Sequence, residues 1–228
     1  MYHERTAALE KKREQLLASG VDMLDPSSVY VEDTVTVGKG TLLLPGTILR
    51  GSTVIGEGCQ IGPRAMLTDC VVEDGVTINE SQCEDSRICA GCQIGPYTHI
   101  RPHGVVGEGS KIGAFVQLKN CNLGKGTKMA HLTYVGDSDV GDNCNFGCGT
   151  VTCNYDGFVK SRTTLGSNVF VGCNTNLVPP VRVGDGAYIA AATTVTQDVP
   201  ADAMVIGRSR QTVKEGWAEE NRRKKAKK

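Results

Sequence analysis

Residues 94–113 read IGPYTHIRPHGVVGEGSKIG, and this stretch decides the fold. Within it an aliphatic residue followed by glycine occurs three times, as Ile94-Gly95, Val106-Gly107 and Ile112-Gly113. The same pair recurs on both sides of the stretch, at Ile55 and Ile61 and at Leu165, Val171 and Val183, with spacings of six or twelve residues within each group. A period of six indicates a parallel β-helix, in which each coil buries its aliphatic residue against the coils above and below.

The hexapeptides also assemble into steps of eighteen residues. Such steps join Val37 to Ile55, Ile94 to Ile112, Leu165 to Val183, and Val171 to Ile189. Three hexapeptides per step predict three sides per coil. From about Val31 to Val199 there is room for nine or so coils, and strands ~4.8 Å apart would give a prism roughly 45 Å long.

The period breaks in places. Leu118 and Leu123 are five residues apart, as are Val135 and Val140, and residues 151–164 contain the run NYDG without a clean aliphatic-glycine pair. Where residues are added or missing, the chain must depart from the regular coil. Because loops on a rigid scaffold commonly carry function, we expect the site to lie there.

Composition agrees with a narrow core of small side chains, since glycine contributes 28 residues and aromatic residues only 5%. We find no run near the ~18 apolar residues that span a bilayer, and no signal-peptide segment at the N-terminus. We therefore expect a cytoplasmic protein without a membrane partner.

The ten cysteines include Cys89 and Cys92 in a single CxxC and a cluster of Cys144, Cys148 and Cys153. Without a second CxxC or a histidine pair, structural thiols are favoured over zinc, and no metal is predicted.

The two ends differ from the repeats. Residues 3–18 are rich in helix formers, and Gly20 is placed to end a polar helix, which we expect to lean on the body or on another domain. Residues 214–228 hold seven Lys or Arg against three Glu. A solvated tail is favoured over nucleic-acid binding because no interleaved aromatic residues accompany these charges. We predict three segments: a helix at 1–20, a β-helix domain at 21–205, and an arm with a basic tail at 206–228.

Several motifs between Ile94 and Gln211 keep a fixed order, namely IGPYTHIRP, IGAFVQLKN, HLTYVGD, NCNFGCGT, CNYDG-x-x-K, LVPPV and VIGR. In these motifs the chain resembles the acetyltransferase half of bacterial bifunctional UDP-N-acetylglucosamine pyrophosphorylase/glucosamine-1-phosphate N-acetyltransferase. Residues 15–93 fit more loosely. The resemblance implies a left-handed β-helix, a homotrimer, and a place in UDP-N-acetylglucosamine synthesis for peptidoglycan and lipopolysaccharide. The family's Gly-rich nucleotidyltransferase motif is missing, so we do not expect uridylyl transfer.

The resemblance also implies residue roles for moving an acetyl group from acetyl-CoA to the amine of glucosamine 1-phosphate. His131 matches the general base, a role that suits an imidazole near neutral pH. The positions matching sugar-phosphate ligands are Arg101, Lys119, Tyr134, Asn145 and Lys160. The positions matching acetyl-CoA ligands are Cys148, Asn154, Tyr155, Cys173, Ala191 and Arg208.

Two of these positions depart from the family pattern, because Cys148 and Cys173 stand where alanine and serine are usual. Direct transfer in a ternary complex is favoured over a nucleophilic Cys173.

Three alternatives remain open. Another hexapeptide acyltransferase, acting on a nucleotide sugar or a small amine, would keep the coil and a histidine. A γ-class carbonic anhydrase would need three zinc-binding histidines, and the spacing of His99, His103 and His131 does not suit it. A non-catalytic or ice-binding prism would lack the interruptions at HLTY and NYDG.

Overall fold

The computed structural model describes residues 2–226, with side chains from Thr6 onward; Met1, Lys227 and Lys228, which belong to the predicted end segments, lie outside the described residues. The chain forms a three-sided parallel β-solenoid between an N-terminal helix α1 (Tyr2–Ala18) and a C-terminal helix α2 (Trp217–Lys225). A short 3-10 helix (Pro26–Ser28) lies in the first coil. The predicted all-β, parallel β-helix fold class is confirmed, while its left-handed winding remains what the resemblance implies.

The strands are two to seven residues long. In chain order they are β1 (Asp22–Met23), β2 (Tyr30–Val31), β3 (Thr36–Val37), β4 (Leu42–Leu43), β5 (Ile48–Arg50), β6 (Val54–Ile55), β7 (Gln60–Ile61), β8 (Met66–Thr68), β9 (Val71–Val72), β10 (Thr77–Ile78), β11 (Gln82–Glu84), β12 (Ser86–Ile88), β13 (Gln93–Ile94), β14 (His99–Ile100), β15 (Gly104–Val106), β16 (Lys111–Ala114), β17 (Gln117–Leu123), β18 (Lys128–His131), β19 (Tyr134–Val140), β20 (Asn145–Phe146), β21 (Val151–Thr152), β22 (Thr163–Leu165), β23 (Phe170–Val171), β24 (Asn176–Leu177), β25 (Val181–Val183), β26 (Tyr188–Ile189), β27 (Thr194–Val195) and β28 (Met204–Val205).

Each side of the prism is one stack of parallel strands. We call the stacks faces 1, 2 and 3 in the order the chain visits them, so that face 1 begins with β1, face 2 with β2 and face 3 with β3. Face 1 holds eleven strands within the described residues: β1, β4, β7, β10, β13, β16, β18, β20, β23, β26 and β28. The body therefore runs from Asp22 to Val205 and makes about ten coils, slightly more than the nine or so expected between Val31 and Val199.

Strand register confirms all four predicted steps of eighteen. Val37 pairs with Ile55, Ile94 with Ile112, Leu165 with Val183, and Val171 with Ile189. One residue of most strands, usually aliphatic, points inward and is almost fully buried; on face 1 the stack includes Leu43, Ile61, Ile78, Ile94, Ile112, Met129, Phe146, Val171 and Ile189. A fully buried side chain of this kind contributes about 1.5–3 kcal/mol, so the stack explains why the period tolerates few exceptions.

The two five-residue spacings coincide with the two longest strands. The seven-residue strands β17 and β19 run continuously from face 2 to face 3 across the corner. Asn120 and Asp137 occupy the bend, with φ of 45° and 47°. These two coils also share the most extensive pairing in the solenoid, from Gln117 opposite Tyr134 to Leu123 opposite Val140.

Helix α1 closes the lower end of the solenoid, as expected. Lys12 Nζ donates to the carbonyl oxygens of Asp33 and Val35 at 2.8 and 2.7 Å, and Leu16 is buried. The polypeptide leaves the helix at Gly20, whose φ of 92° suits a residue without Cβ.

The basic tail differs from the simple solvated tail of the prediction because it contains helix α2. Glu219 and Glu220 lie in its first turn and basic residues in its last, an order that complements the helix dipole. Glu219 also accepts from Arg223 at 2.7 Å. The helix buries none of its residues. No helix in the described part of the chain is long and apolar enough to cross a membrane.

Most cysteines belong to the core. Cys59, Cys92 and Cys144 occupy the inner position after the turn from face 3 to face 1, where each thiol donates to a backbone carbonyl of the next coil at 3.1 Å. Burial raises the pKa of the Cys92 thiol to about 11. Thr41 and Thr127 make the corresponding bonds with their hydroxyl groups in other coils. These cysteines therefore act as small hydrogen-bonding core residues.

Candidate functional site

Face 2 carries two rows of outward-pointing side chains that run along the prism. The second row lies beside the corner with face 3. Arg101, Lys119 and Gly136 are consecutive members of this row: Arg101 N donates to Leu118 O at 2.8 Å, and Lys119 pairs in register with Gly136. Two cations therefore lie one coil apart, followed by a position with no side chain. Gly136 leaves room above Lys119.

A nine-residue loop, residues 154–162, departs from the coil just above this gap. Asn145 and its register partner Phe170 are 25 residues apart, whereas Lys128 and its partner Asn145 are 17 apart. The loop closes on itself through an antiparallel bridge between Tyr155 and Lys160. The predicted departure of this segment from the coil is confirmed.

The interior of the loop is held by short-range hydrogen bonds. Asp156 Oδ1 accepts from the backbone N–H groups of Phe158 and Val159 at 2.8 and 2.7 Å. Tyr155 donates its hydroxyl to Gly157 O at 2.6 Å. Phe158 at the tip is 92% exposed. The loop is thus internally ordered while its tip points to solvent.

Arg162 anchors the end of the loop to the solenoid. Its guanidinium donates to both carboxylate oxygens of Asp139, at 2.5 and 2.6 Å, and to Asn120 O and Ser138 O at 3.1 Å. A bidentate guanidinium–carboxylate contact fixes direction as well as distance. The arginine therefore folds the loop down over the coils that carry Lys119 and Asp137.

The anchored loop brings Lys160 to Lys119. The ammonium of Lys160 and, to a lesser extent, the guanidinium of Arg101 lower the pKa of Lys119 below its usual value. We call Arg101, Lys119 and Lys160 the cation cluster. Like charges brought this close disfavour their own charged forms, and such an arrangement is relieved by an anion bound between them.

Asp137 is a buried carboxylate whose charge acts on Lys119. Its Oδ1 accepts from Asn120 Nδ2 at 2.6 Å, and its Oδ2 accepts from Asn154 Nδ2. Burial raises the pKa of Asp137, but the two amide hydrogen bonds and the charges of Lys119 and Lys160 outweigh it, so the pKa lies below its usual value. Because a carboxylate only accepts hydrogen bonds, Asn154 must turn its side-chain nitrogen toward Asp137. The side-chain oxygen Oδ1 of Asn154 is then left for another partner.

Tyr134 crosses face 2 toward the same cluster. A Cβ built on Gly136 would lie 2.3 Å from the Tyr134 hydroxyl oxygen and 3.1 Å from Asn154 Nδ2. Glycine at 136 is therefore required for the phenol to reach this position. The structure thus brings together five of the predicted ligands, Arg101, Lys119, Tyr134, Asn154 and Lys160.

A second group of predicted residues lies at the opposite edge of face 2, on the corner with face 1. The register of β18, β20, β23 and β26 places His131, Cys148, Cys173 and Ala191 at the same position of four successive coils. We call these four residues the corner column. His131 is exposed, and its imidazole makes no hydrogen bond or ion pair with the residues that the structure describes.

Arg208 lies at the top of the corner column. The pairing of β26 with β28, continued along the chain, sets Gly207 above Ala191 and Arg208 at the adjoining corner. Gly207 N donates to Thr193 Oγ1 at 3.2 Å, which holds this turn against the coil below. Four coil steps of ~4.8 Å separate His131 from Gly207, a distance of about 19 Å.

Two predicted ligands, Asn145 and Tyr155, lie apart from the groups they were expected to join. Asn145 points outward from face 1, into a shallow groove of about 310 Å³ that it shares with Gln93, Lys111 and Lys128. Tyr155 stays in the loop beside Lys160 and does not join the corner column. In one chain the candidate acetyl-CoA ligands Asn154 and Tyr155 are therefore separated from Cys148, Cys173 and Ala191.

The separation across face 2 is large. His131 and Gly136 are five residues apart along the chain, so up to about 16 Å lies between the corner column and the row of the cation cluster. The three body histidines do not converge either, since His103 pairs with Asp85 at 3.0 Å and His99 contacts Gln117 at 3.4 Å. Among the side chains that the structure describes, residues 6–226, no cluster of three is suited to a metal ion.

Sequence reasoning missed four residues that shape this region: Asn120, Asp137, Asp139 and Arg162. One signal was available for two of them, because Asn120, Asp137 and Asn154 are spaced by 17 residues, the length of a coil here. Equal spacing at the coil length predicts one column of side chains. No comparable signal pointed to the contact of Arg162 with Asp139, which depends on the path of the loop.

Comparison with known proteins first defines the class. Residues 34–69, 85–120 and 162–197 match the family model described as bacterial transferase hexapeptide (six repeats). These three segments therefore carry hexapeptide repeats of the kind that this model describes.

The relatives make the assignment more specific. Proteins named bifunctional protein GlmU are 48% identical over 91% of this chain in Brevibacillus brevis, 49% over 92% in Caldanaerobacter subterraneus and 50% over 88% in Caldicellulosiruptor saccharolyticus. The matches cover 45%, 46% and 43% of those proteins. The resemblance predicted from the sequence is confirmed: the chain is a homologue of GlmU proteins and spans about half of their length.

Among solved structures, the UDP-N-acetylglucosamine acyltransferase of Francisella novicida aligns with 86% of this chain and 72% of its own. Its TM-score is 0.49 and its identity 16%, too low to support a conclusion.

Proposed function

We propose that this chain is a glucosamine-1-phosphate N-acetyltransferase that uses acetyl-CoA. The observation that carries the proposal is the convergence of Arg101, Lys119 and Lys160 on a face whose other edge presents an unpaired histidine. Homology to GlmU proteins supports the reaction, and the hexapeptide repeats fit their acetyltransferase half. The product would be a cytoplasmic precursor of UDP-N-acetylglucosamine and cell-wall polymers.

In this proposal the cation cluster binds the sugar phosphate. A phosphate dianion between the two lysines would remove the repulsion that lowers the pKa of Lys119, while Arg101 can offer a bidentate fork. Asp137 is already engaged by two amides, so it neutralises part of the cluster without competing as a ligand. Tyr134 and the side-chain oxygen of Asn154 then serve the sugar hydroxyl and amine. Asn145, which lies on face 1, would act as a further ligand from a neighbouring subunit.

The corner column suits acetyl-CoA. Cys148, Cys173 and Ala191 present small side chains and backbone at one line above His131, and an extended phosphopantetheine arm can span the distance to Arg208. Arg208 would then meet the CoA phosphates, with the thioester beside His131. Asn154 and Tyr155 would complete the acetyl end.

The chemistry follows from these positions. His131 accepts a proton from the substrate amine as its nitrogen attacks the thioester carbonyl. The N–C bond forms, the C–S bond breaks, and the imidazolium returns the proton to the departing CoA sulfur. His131, freely accessible and without a competing hydrogen-bond partner, is suited to both steps.

The distance between the two edges of face 2 supports a homotrimer with sites between subunits. One chain holds His131 and the cation cluster up to about 16 Å apart, but the corner column of one prism can meet the loop of its neighbour. Mixing His131→Ala chains with Lys160→Ala chains tests this: mixed trimers should regain activity because some sites contain both intact residues. Absence of any recovery in trimers shown to be mixed would contradict shared sites.

The reaction itself is tested by CoA release from acetyl-CoA with glucosamine 1-phosphate, glucosamine 6-phosphate and glucosamine. We expect strong preference for glucosamine 1-phosphate and a product acetylated on nitrogen, checked by NMR. Higher activity with a nucleotide sugar or another small amine would favour a different hexapeptide acyltransferase.

A further inference from the structure

The ten cysteines fall into two groups by accessibility. Six are buried: Cys59, Cys70, Cys83, Cys92, Cys121 and Cys144. Burial raises the pKa of these six thiols. Cys89 and Cys148 are partly accessible, and Cys153 and Cys173 are exposed. Reaction with a reagent in solution is therefore confined to these four.

Only Cys148 and Cys173, among the four accessible cysteines, are neighbours. The register that pairs Asn145 with Phe170 and Phe146 with Val171 sets Cys148 opposite Cys173 on the next coil. The backbone continues this register beyond β20 and β23, since Asn174 N donates to Cys148 O at 2.8 Å. Strands one coil apart are ~4.8 Å apart, within the 4.4–6.8 Å Cα separation of disulfides.

The other two accessible thiols lack such a neighbour. Cys153 follows β21 on face 2, where the register of β19, β21 and β24 gives Gly136 and Val178 as the corresponding residues of adjacent coils. Cys89 follows β12 on face 3, and its counterparts are Glu73 and Gly107. Cys153 and Cys89 are thus accessible thiols without a cysteine at the corresponding position of an adjacent coil.

We propose that Cys148 and Cys173 form a modification site that reacts with small disulfide compounds and closes to an intrachain disulfide. The thiolate of one cysteine attacks a sulfur of the small disulfide, giving a mixed disulfide and releasing one small thiol. The second thiolate attacks the protein sulfur of that mixed disulfide and releases the other small thiol. Two protein thiols are oxidised while one small disulfide is reduced to two thiols.

The place of the pair gives the reaction a consequence, which rests on the proposed function. The disulfide would lie in the corner column one coil above His131, where the pantetheine arm is proposed to bind. It would change the wall of that groove and tie together the two coils that flank residues 154–162. Oxidation should therefore block acetyl transfer reversibly, and bound acetyl-CoA should slow oxidation.

The test uses the full chain carrying Cys153→Ala, so that one peptide after trypsin and chymotrypsin contains Cys148 as its sole cysteine. The folded protein is treated with oxidised glutathione, its free thiols are alkylated, and peptides are identified without reduction. We expect a Cys148–Cys173 cross-linked peptide that disappears after dithiothreitol. Cys173→Ser in the same background should give only glutathione adducts.

Glutathione adducts on Cys148 and Cys173 without a cross-linked peptide would overturn the modification site, whatever the activity. CoA release should fall in step with cross-linking and recover on reduction, while Cys153→Ala alone retains activity. Full activity of the cross-linked protein would overturn the blocking role. An enzyme inactive before oxidation would instead contradict the proposed function, and the mass measurement would still decide the disulfide.

Discussion

The lower coils and the coils around the loop share one backbone repeat but differ in how their charged side chains are paired. In the lower coils Arg64 contacts Glu80, and Arg87 contacts Glu73, each across one coil step. Higher up, Arg101, Lys119 and Lys160 converge around a single buried carboxylate, Asp137. The comparison teaches that the repeat supplies a rigid surface. An anionic ligand can bind where the cationic side chains outnumber the carboxylates around them.

The largest change in coil length occurs at the same place, although coils of 17 and 16 residues also occur lower down, where Ile61 pairs with Ile78 and Ile78 with Ile94. Lower coils turn at each corner, whereas β17 and β19 pass one corner without a break and the next coil adds the loop at 154–162. The shortened corners align Asn120, Asp137 and Asn154, and the loop adds Lys160. The inserted loop, which the lower coils lack, therefore completes the cluster.

The largest effect should come from the histidine at the other edge of face 2. His131→Gln should lower kcat by about 10²–10⁴, the usual contribution of a positioned general base, while leaving the fold intact because the side chain is exposed. His103→Gln is the control, since its imidazole pairs with Asp85 outside the proposed site. A His131→Gln enzyme with kcat within threefold of the parent would remove this residue from the chemistry.

A smaller effect is expected from the loop anchor. Arg162→Gln removes both contacts with Asp139 and should loosen residues 154–162, shifting Lys160 and Asn154 together. For a partly exposed pair we expect a loss of about 1–2 kcal/mol in loop ordering, or about five- to thirtyfold in kcat/KM. Faster chymotrypsin cleavage after Phe158 should accompany it. Arg87→Gln breaks a comparable pair in the regular coils and should change neither measurement.

The smallest effect concerns pH. Because Lys160 lowers the pKa of Lys119, Lys119 loses its charge at a lower pH than an ordinary lysine, and kcat/KM for the sugar phosphate should fall correspondingly early as pH rises. In Lys160→Met the pKa of Lys119 should return upward, moving the fall to higher pH. Lys111→Met, on face 1, should leave the profile in place. A fall moved to lower pH in Lys160→Met would contradict the coupling of the two lysines.

Much of the fold could be predicted because burial imposes the period directly. Ile94 and Ile112, or Val171 and Ile189, stack only if eighteen residues close a coil, and the register bears this out. The extent of the solenoid was harder to predict: its end coils depart from the strict repeat, with Asp22 and Leu42 twenty residues apart and Tyr188 and Met204 sixteen apart.

The site could be predicted only in part, for a physical reason. The resemblance indicated Arg101, Lys119 and Lys160, but their convergence requires a loop held by Arg162, and nothing in the spacing specifies that contact. Nor did the sequence show that His131 and the cluster occupy opposite edges of face 2. Positions along a strand are set by the period, whereas the path of an inserted loop depends on its particular side-chain contacts.

The most direct test of the account is substrate selectivity in a variant of the cation cluster. We would measure kcat/KM for glucosamine 1-phosphate and for glucosamine in the parent and in Lys119→Met/Lys160→Met. If the lysines bind phosphate, the preference for the phosphorylated sugar should fall by at least about tenfold, because each charged hydrogen bond contributes about 1.5–3 kcal/mol. Values for glucosamine and the KM for acetyl-CoA should stay close to those of the parent. An equal fall with both sugars, leaving the preference unchanged, would contradict the assignment of this cluster as the phosphate site.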